Sequence, residues 1–580
     1  MFAASAPGES ASAARLTRQI AACARGSAAE KVFGPRFFGS GARSTSSTPT
    51  RSRARARSFA GASTHGKGVS PPVATRVRPT RAPRGAPVAR AASESPYASK
   101  RPKVSPEFEC PRLTATRDLP ALTSPFAEGG EKHGYGLGQK FVADDDCVLL
   151  NALRYEALEC EGNPNAEGCE LNLDDDFVDV DRDPDEWRAQ WAMRAGPREK
   201  IYFEPSKCKA AIVTCGGLCP GLNDVIRQLV ITLEEYGVSD IKGVKYGFRG
   251  FVERTGELRE PINLTSAVVD TIHLNGGSIL GSSRGGSDVA EIVDAVQEMD
   301  LDFLFVIGGN GSHAGALAID RALRTRDFKT AVVGIPKTID NDILLLDRTF
   351  GFQTAVDEAI KAIRSAAIEA RSARNGIGLV RLMGRQSGFI ATHAALASGE
   401  VDVCLIPEID TPLDGPGGVI AHVRRVLTKK EHCVVVVAEG AGQDILGALG
   451  ETDASGNPVL QNFAKFLREE FKSRLGDLDP DIKYIDPTYM VRARQTNASD
   501  AIYCSILGQN AVHAAFAGLT GVTVGLCNGH YVYLPVPPLI KRAREVDPNG
   551  RMWERLRLAI NQPVYREAKA GEEAGETSAR

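Results

Sequence analysis

The sequence predicts an α/β protein in which mainly parallel sheets are covered by helices. Three observations carry this. Short apolar runs recur along the middle of the chain, among them AAIVTCGG (210–217), FLFVIGG (303–309) and CVVVVAEG (433–440). Stretches with helical apolar spacing separate them, such as NDVIRQLVITLEEYG (223–237). Glycine is frequent, 58 of 580 residues, as many strand-to-helix turns require. Uniformly apolar strands alternating with helices read as parallel strands buried on both faces. In such sheets ligands bind beyond the carboxyl ends of the strands.

The elements follow in chain order. Residues 1–92 carry sixteen Lys and Arg against two acids, Glu9 and Glu30, and are rich in Ala and Ser. This composition, without a compact apolar core, predicts a plastid-type transit peptide that is disordered, with VARAA (88–92) as the processing site. The whole chain has a net charge of −2, so the remainder is acidic, about −16. Such a body exerts no global pull on nucleic acid or an anionic membrane. No apolar run reaches the roughly eighteen residues of a transmembrane helix.

Residues 93–205 read as an irregular N-terminal extension, a possible place for regulation. Its acidic stretch DDDFVDVDRDPDEW (174–187) lacks the glycine and final glutamate of a calcium-binding loop and reads as solvated. The body, residues 206–545, adds the strands AVVGIP (331–336), GIGLVRLMG (376–384) and VCLIPE (403–408). The helical patterns SDVAEIVDAVQEM, GALAIDRALRT and TAVDEAIKAIRSAAIEA lie between strands. Residues 546–580 read as a helix and a disordered tail.

Two strand ends carry glycine where a phosphate can be cradled: TCGGLCPGLND (214–224) and GGNGSHAGA (308–316). Glycine lets the backbone approach an anion, and the following helix offers its amino end. Neither segment is a Walker A loop, and neither has the spacing of a dinucleotide fingerprint. A third strand end is more unusual. GIPKTIDNDI (334–343) places Lys337, Thr338, Asp340 and Asp342 just past a buried run. Unpaired buried acids are costly, and a helix cap needs only one. Phosphoryl transfer to a hydroxyl needs a base and cations for the phosphates. In that reading Thr338 and Asp340 face the acceptor, Lys337 neutralises phosphate charge and Asp342 braces the turn.

These segments, with GGLCPGLN (216–223), GGNGS (308–312), PKTIDND (336–342), MGRQSGF (383–389) and AEGAGQ (438–443) in family order, resemble the phosphofructokinase family. The upstream NALRYEALECEGN and RAGPREKIYFEPSK look like the extension of its plant-type, plastid ATP-dependent members. The resemblance implies two Rossmann-like lobes and transfer of a phosphoryl group to fructose 6-phosphate. It also implies Mg²⁺, ATP as co-substrate, the plastid stroma and a homotetramer with shared sites. Asp340 matches the general base, with Thr338 and Ile339 beside it on the sugar. Met383, Gly384 and Arg385 match the element that binds the sugar phosphate, and Glu439 the acid on the sugar hydroxyls. Tyr489 and Arg492 match a substrate clamp. Lys483 stands where many bacterial members reach across subunits with Arg; a second such Arg has Gly376 in its place, with Arg374 nearby. On the nucleotide side, Gly216, Arg284, Gly285 and the loop Gly309, Asn310, Gly311 and Ser312 match the phosphate cradle.

Two residues bear on the donor. Gly311 resembles ATP-using forms, since pyrophosphate-using forms carry Asp there. Lys337 is shared by pyrophosphate forms and plant ATP forms. Together they point to ATP, with pyrophosphate as the alternative. Asn310 replaces an Asp that helps hold Mg²⁺ in many relatives, so the resemblance also leaves open a weakly active regulatory subunit. Of the twelve Cys, none has zinc-ligand spacing. Cys160 and Cys169 flank a turn-rich loop and form a candidate regulatory disulfide, with thioredoxin as a possible partner.

Overall fold

The computed structural model describes residues 103–565 apart from 117, 128–140, 151–189, 253–259, 285–287, 448 and 453–457. The transit segment, Gly285, Cys160, Cys169, the acidic stretch and the C-terminal tail therefore lie outside the described residues. The described strands, in chain order, are β1 (Leu122–Thr123), β2 (Cys147–Leu149), β3 (Trp191–Arg194), β4 (Lys200–Ile201) and β5 (Lys209–Thr214). There follow β6 (Asp240–Val244), β7 (Ile262–Asn263), β8 (Phe303–Gly308), β9 (Ala331–Pro336) and β10 (Gly376–Leu382). The last are β11 (Val403–Leu405), β12 (His432–Ala438), β13 (Ile482–Ile485), β14 (Val522–Cys527) and β15 (His530–Pro535).

Two sheets form two lobes. The larger has nine strands in the order β2-β3-β15-β14-β9-β8-β5-β6-β7. Its centre, from β6 to β14, is parallel, and its rims are antiparallel. The smaller is wholly parallel, in the order β11-β12-β10-β13. The expected α/β architecture is thus present. β8 and β9 are buried at every position, as expected of strands covered on both faces.

The described part of the extension is mostly irregular, as expected, but contributes short strands to the larger sheet. β2 and β3 come from residues below 205, and β3 pairs with Arg194 and Met193 against Val532 and Tyr533 of β15. They cover a sheet edge that would otherwise present unpaired backbone groups. Arg198 locks the join, donating to Asp144 at 3.0 Å and to the carbonyls of Gly196 and Arg194 at 3.0 and 2.9 Å.

The helix Phe352–Ser372 runs between the lobes and packs its small residues on the smaller sheet. A Cβ at Gly376 would lie 2.1 Å from the Ala370 carbonyl oxygen, and one at Gly378 2.6 Å from that of Ala366. Glycine at both positions lets helix and strand close up. Among the described residues no helix is long and apolar enough to cross a membrane.

Candidate active site

The carboxyl ends of β5, β8 and β9 face those of β10 and β12 across one cavity of about 580 Å³. Most of its polar wall comes from loops that follow strands, and helices supply the rest.

After β5 the chain turns through Gly216, with φ of 85°, and enters the helix Leu222–Tyr236. A Cβ at Gly216 would lie 3.0 Å from the Lys337 ammonium, and Lys337 donates to the Gly217 carbonyl at 2.8 Å. Burial lowers the Lys337 pKa from its usual value. Over Gly217 two guanidinium groups converge: a Cβ there would be 3.4 Å from Arg284 Nη2 and 3.7 Å from Arg492 Nη2. After β8, Gly309 caps the helix Asn310–Thr325, so Asn310, Gly311 and Ser312 form its first turn at the cavity wall. The amino end of a sixteen-residue helix is well suited to a phosphate.

The loop after β9 carries the acids. Asn341, with φ of 60°, turns the chain and accepts from the Thr349 amide at 2.9 Å. Thr338 Oγ1 accepts the Asp340 amide at 3.2 Å. Asp340 Oδ1 and Asp342 Oδ1 are both buried without a hydrogen-bond partner. Burial, then the charges of Asp342 and Glu439, raise the Asp340 pKa to about 7. Burial also raises Asp342, against a hydrogen bond from Thr338.

The smaller lobe closes the other side with Met383, Arg385, Gln386, Glu439 and Arg492. Gly384 shapes its loop rather than the cavity wall: its φ is 124°, and its carbonyl accepts from Gly440 at 2.9 Å. At the far end of the cavity the lining becomes apolar, with Phe248, Val289, Ile292, Gly315 and Ile319.

The fold gathers most residues singled out in the sequence: Gly216, Arg284, Gly309 to Ser312, Lys337 to Asp340, Met383, Arg385, Glu439 and Arg492. Tyr489 and Lys483 stand apart. Tyr489 is 81% exposed, and Lys483 lies on the edge strand β13, paired with Asp481 at 3.0 Å. Asp342 lines the cavity as well, and its Oδ1 is buried without a hydrogen-bond partner. Gln386 and the apolar end escaped sequence reasoning. Val289 and Ile292 sit three apart on an ordinary amphipathic helix, which carries no motif.

The family model for phosphofructokinase matches residues 209–515. The chain belongs to the phosphofructokinase family. It is 52% identical over 468 residues to "ATP-dependent 6-phosphofructokinase 5, chloroplastic" of Arabidopsis thaliana, covering 80% of this chain and 83% of that protein. It is 46% identical over 384 residues to the ATP-dependent 6-phosphofructokinase of Borreliella burgdorferi, covering 64% of this chain and 85% of that protein. A pyrophosphate-dependent phosphofructokinase from Marinobacter aquaeolei shares the fold, with a TM-score of 0.51 and 20% identity over 64% of this chain and 98% of that one. This phosphofructokinase therefore keeps its glycine loops, acidic loop and arginines in one cavity between lobes.

Proposed function

We propose that this phosphofructokinase transfers the γ-phosphoryl group of ATP to the 1-hydroxyl of fructose 6-phosphate, giving fructose 1,6-bisphosphate and ADP. One observation carries the choice of donor. The cavity extends past the phosphate loop into an apolar end formed by Phe248, Val289, Ile292 and Ile319. A nucleotide base fills such a space; pyrophosphate has nothing to put there. At Gly311 a Cβ would meet nothing within 4 Å, so the path between phosphates and base stays open. The names of the similar proteins from Arabidopsis and Borreliella support the same reading.

The chemistry follows from the walls. Arg385 and Arg492 hold the sugar phosphate, and Glu439 takes sugar hydroxyls. Asp340 accepts the 1-hydroxyl proton as that oxygen attacks the γ-phosphorus in line. The bond from phosphorus to the β–γ bridging oxygen breaks, and ADP leaves with its electron pair. Arg284, Lys337 and the first turn of helix Asn310–Thr325 stabilise the charge on the phosphates. Magnesium fits the site through oxygen donors, Asp342 Oδ1 and the Asn310 side chain, and supplies phosphate charge neutralisation when bound.

The outward placement of Lys483 and Tyr489 supports substrate sites completed across a homotetramer. The basic N-terminal segment and the chloroplastic relatives support a plastid stroma location. Cys160 and Cys169 are proposed as a thioredoxin-reduced disulfide. Unchanged activity after oxidation, or equal oxidative inhibition in Cys160→Ser, would remove that role.

A coupled assay with fructose 6-phosphate and magnesium tests the main reading. Turnover with ATP that collapses in Asp340→Ala is expected. Turnover with pyrophosphate alone would overturn the donor assignment, and none with either would favour a regulatory subunit.

A further inference from the structure

Arg381 is an unusual residue for its place. It lies on β10, the strand flanked by β12 and β13, and its side chain is only 16% exposed. Alternation along β10 puts it on the face that carries Ile377 and Leu379, which pack in an apolar cluster with Val435, Val437 and Tyr484. An aliphatic side chain would simply continue that core. Instead the face ends in a row of charges. Glu439 follows Val437 by two residues and Asp486 follows Tyr484 by two, so both continue the same face just past their strands. Arg381 spans them, with Nη2 at 3.3 Å from Glu439 and Nη1 at 2.9 Å from Asp486.

The two acids act on different parts of the cavity. Glu439 lines it directly. Asp486 lies outside the lining and holds the start of helix Thr488–Arg492, accepting from the Thr488 amide at 3.2 Å and its hydroxyl at 2.6 Å. That helix ends in Arg492, which lines the cavity.

We infer that Arg381 is a positioning residue for the sugar substrate, fixing Glu439 and the Arg492 helix relative to each other by one guanidinium. The inference rests on the reading of this lobe as the fructose 6-phosphate side. A planar, forked cation suits the task, since its nitrogens reach two acids in one plane. Arg381, Glu439 and Asp486 all belong to the smaller lobe, and of the network only Arg492 reaches the glycine loop, at Gly217. Loss of Arg381 therefore acts on the sugar phosphate and leaves ATP binding intact.

Steady-state kinetics of Arg381→Met, Arg381→Lys and Asp486→Asn, alongside thermal unfolding, test this. In Arg381→Met the KM for fructose 6-phosphate rises about tenfold or more, with the KM for ATP within about twofold of wild type. Arg381→Lys recovers most of the loss, because a point charge still reaches one acid. Asp486→Asn, whose side chain is 31% exposed and touches no substrate, gives a smaller rise confined to fructose 6-phosphate. If Arg381→Met unfolds, Asp486→Asn decides. Both KM values rising together with a fall in kcat, or an unchanged KM for fructose 6-phosphate in the folded variants, would overturn the assignment. Absence of wild-type turnover would instead remove the kinase reading, and this proposal with it.

Discussion

Asp340 shows how one residue carries both chemistry and cost. Burial and two neighbouring carboxylates hold its pKa near 7, against an ordinary value of 3.8. As the proposed base, Asp340 must be ionised, so kcat/KM is expected to fall as the pH drops below about 7, which a pH–rate profile measures. The same shift has a stability consequence of definite sign. The folded state keeps the Asp340 proton between about pH 4 and 7, while the unfolded chain has lost it. Stability from this group is full below that window and is lost as the pH rises through it. Asp340→Asn removes the buried charge, and at pH 8 it should melt higher, by on the order of 2 kcal/mol, while losing roughly 100-fold or more of its activity. The stability gap narrows as the pH falls toward 4. Equal melting at pH 8 would show that Asp340 is not ionised against burial. Asp340 was legible in the sequence because an acid after a buried strand is rare. The place of Asp342 in the cavity lining was not, since only the fold reveals that its oxygen has no partner there.

Among the elements, legibility followed strand length and burial. β5, β8, β9, β10 and β12 are six or seven residues of nearly unbroken apolar sequence, and each was found. β2 and β3, three and four residues long, pair only at the rim, and nothing in so short a run separates strand from loop. The β14–β15 hairpin escaped notice although its turn, Asn528-Gly529 with φ of 48° and 75°, is a recognisable hairpin signal. The apolar end of the cavity, the proposed nucleotide end, was also silent, because Val289, Ile292 and Ile319 are ordinary apolar residues of helices that open onto a space. Gly315 tests that end. A Cβ there would lie 3.0 Å from Phe248, so Gly315→Leu drives a side chain into the apolar end. The KM for ATP should rise about tenfold or more with that for fructose 6-phosphate unchanged, as initial-rate measurements would reveal. An unchanged KM for ATP would mean that the base binds elsewhere.

On the scale of the whole molecule, the two lobes bring Asp340, Arg385 and Arg492 to one cavity, and a short C-terminal strap ties the lobes together beside it. Ala543 bridges Ile343, and the Arg544 amide donates to the Asp342 carbonyl at 2.8 Å. Its guanidinium donates to the Leu346 carbonyl at 2.8 Å and lies 4.8 Å from the Phe389 ring centre. Two residues on, the Val546 amide donates to Glu408 Oε1 at 2.7 Å, and the same oxygen accepts the Gly388 amide at 2.9 Å. The strap thus joins the acidic loop of the larger lobe to the loop that follows Arg385 in the smaller. The helix Arg551–Ile560 behind it anchors the strap by burying Trp553 and Leu556. Glu408 is the pivot, since one carboxylate oxygen serves both amides. Glu408→Gln keeps an acceptor and should behave close to wild type. Glu408→Ala leaves two amides without their partner, a loss of about 1–3 kcal/mol in stability. It also loosens both lobes at once, so kcat should fall while neither KM is singled out, unlike the fructose 6-phosphate effect expected at Arg381. Thermal unfolding and initial rates on the pair of variants measure this. A Glu408→Ala protein that melts and turns over like wild type would show that the strap rests on Arg544 and the terminal helix alone.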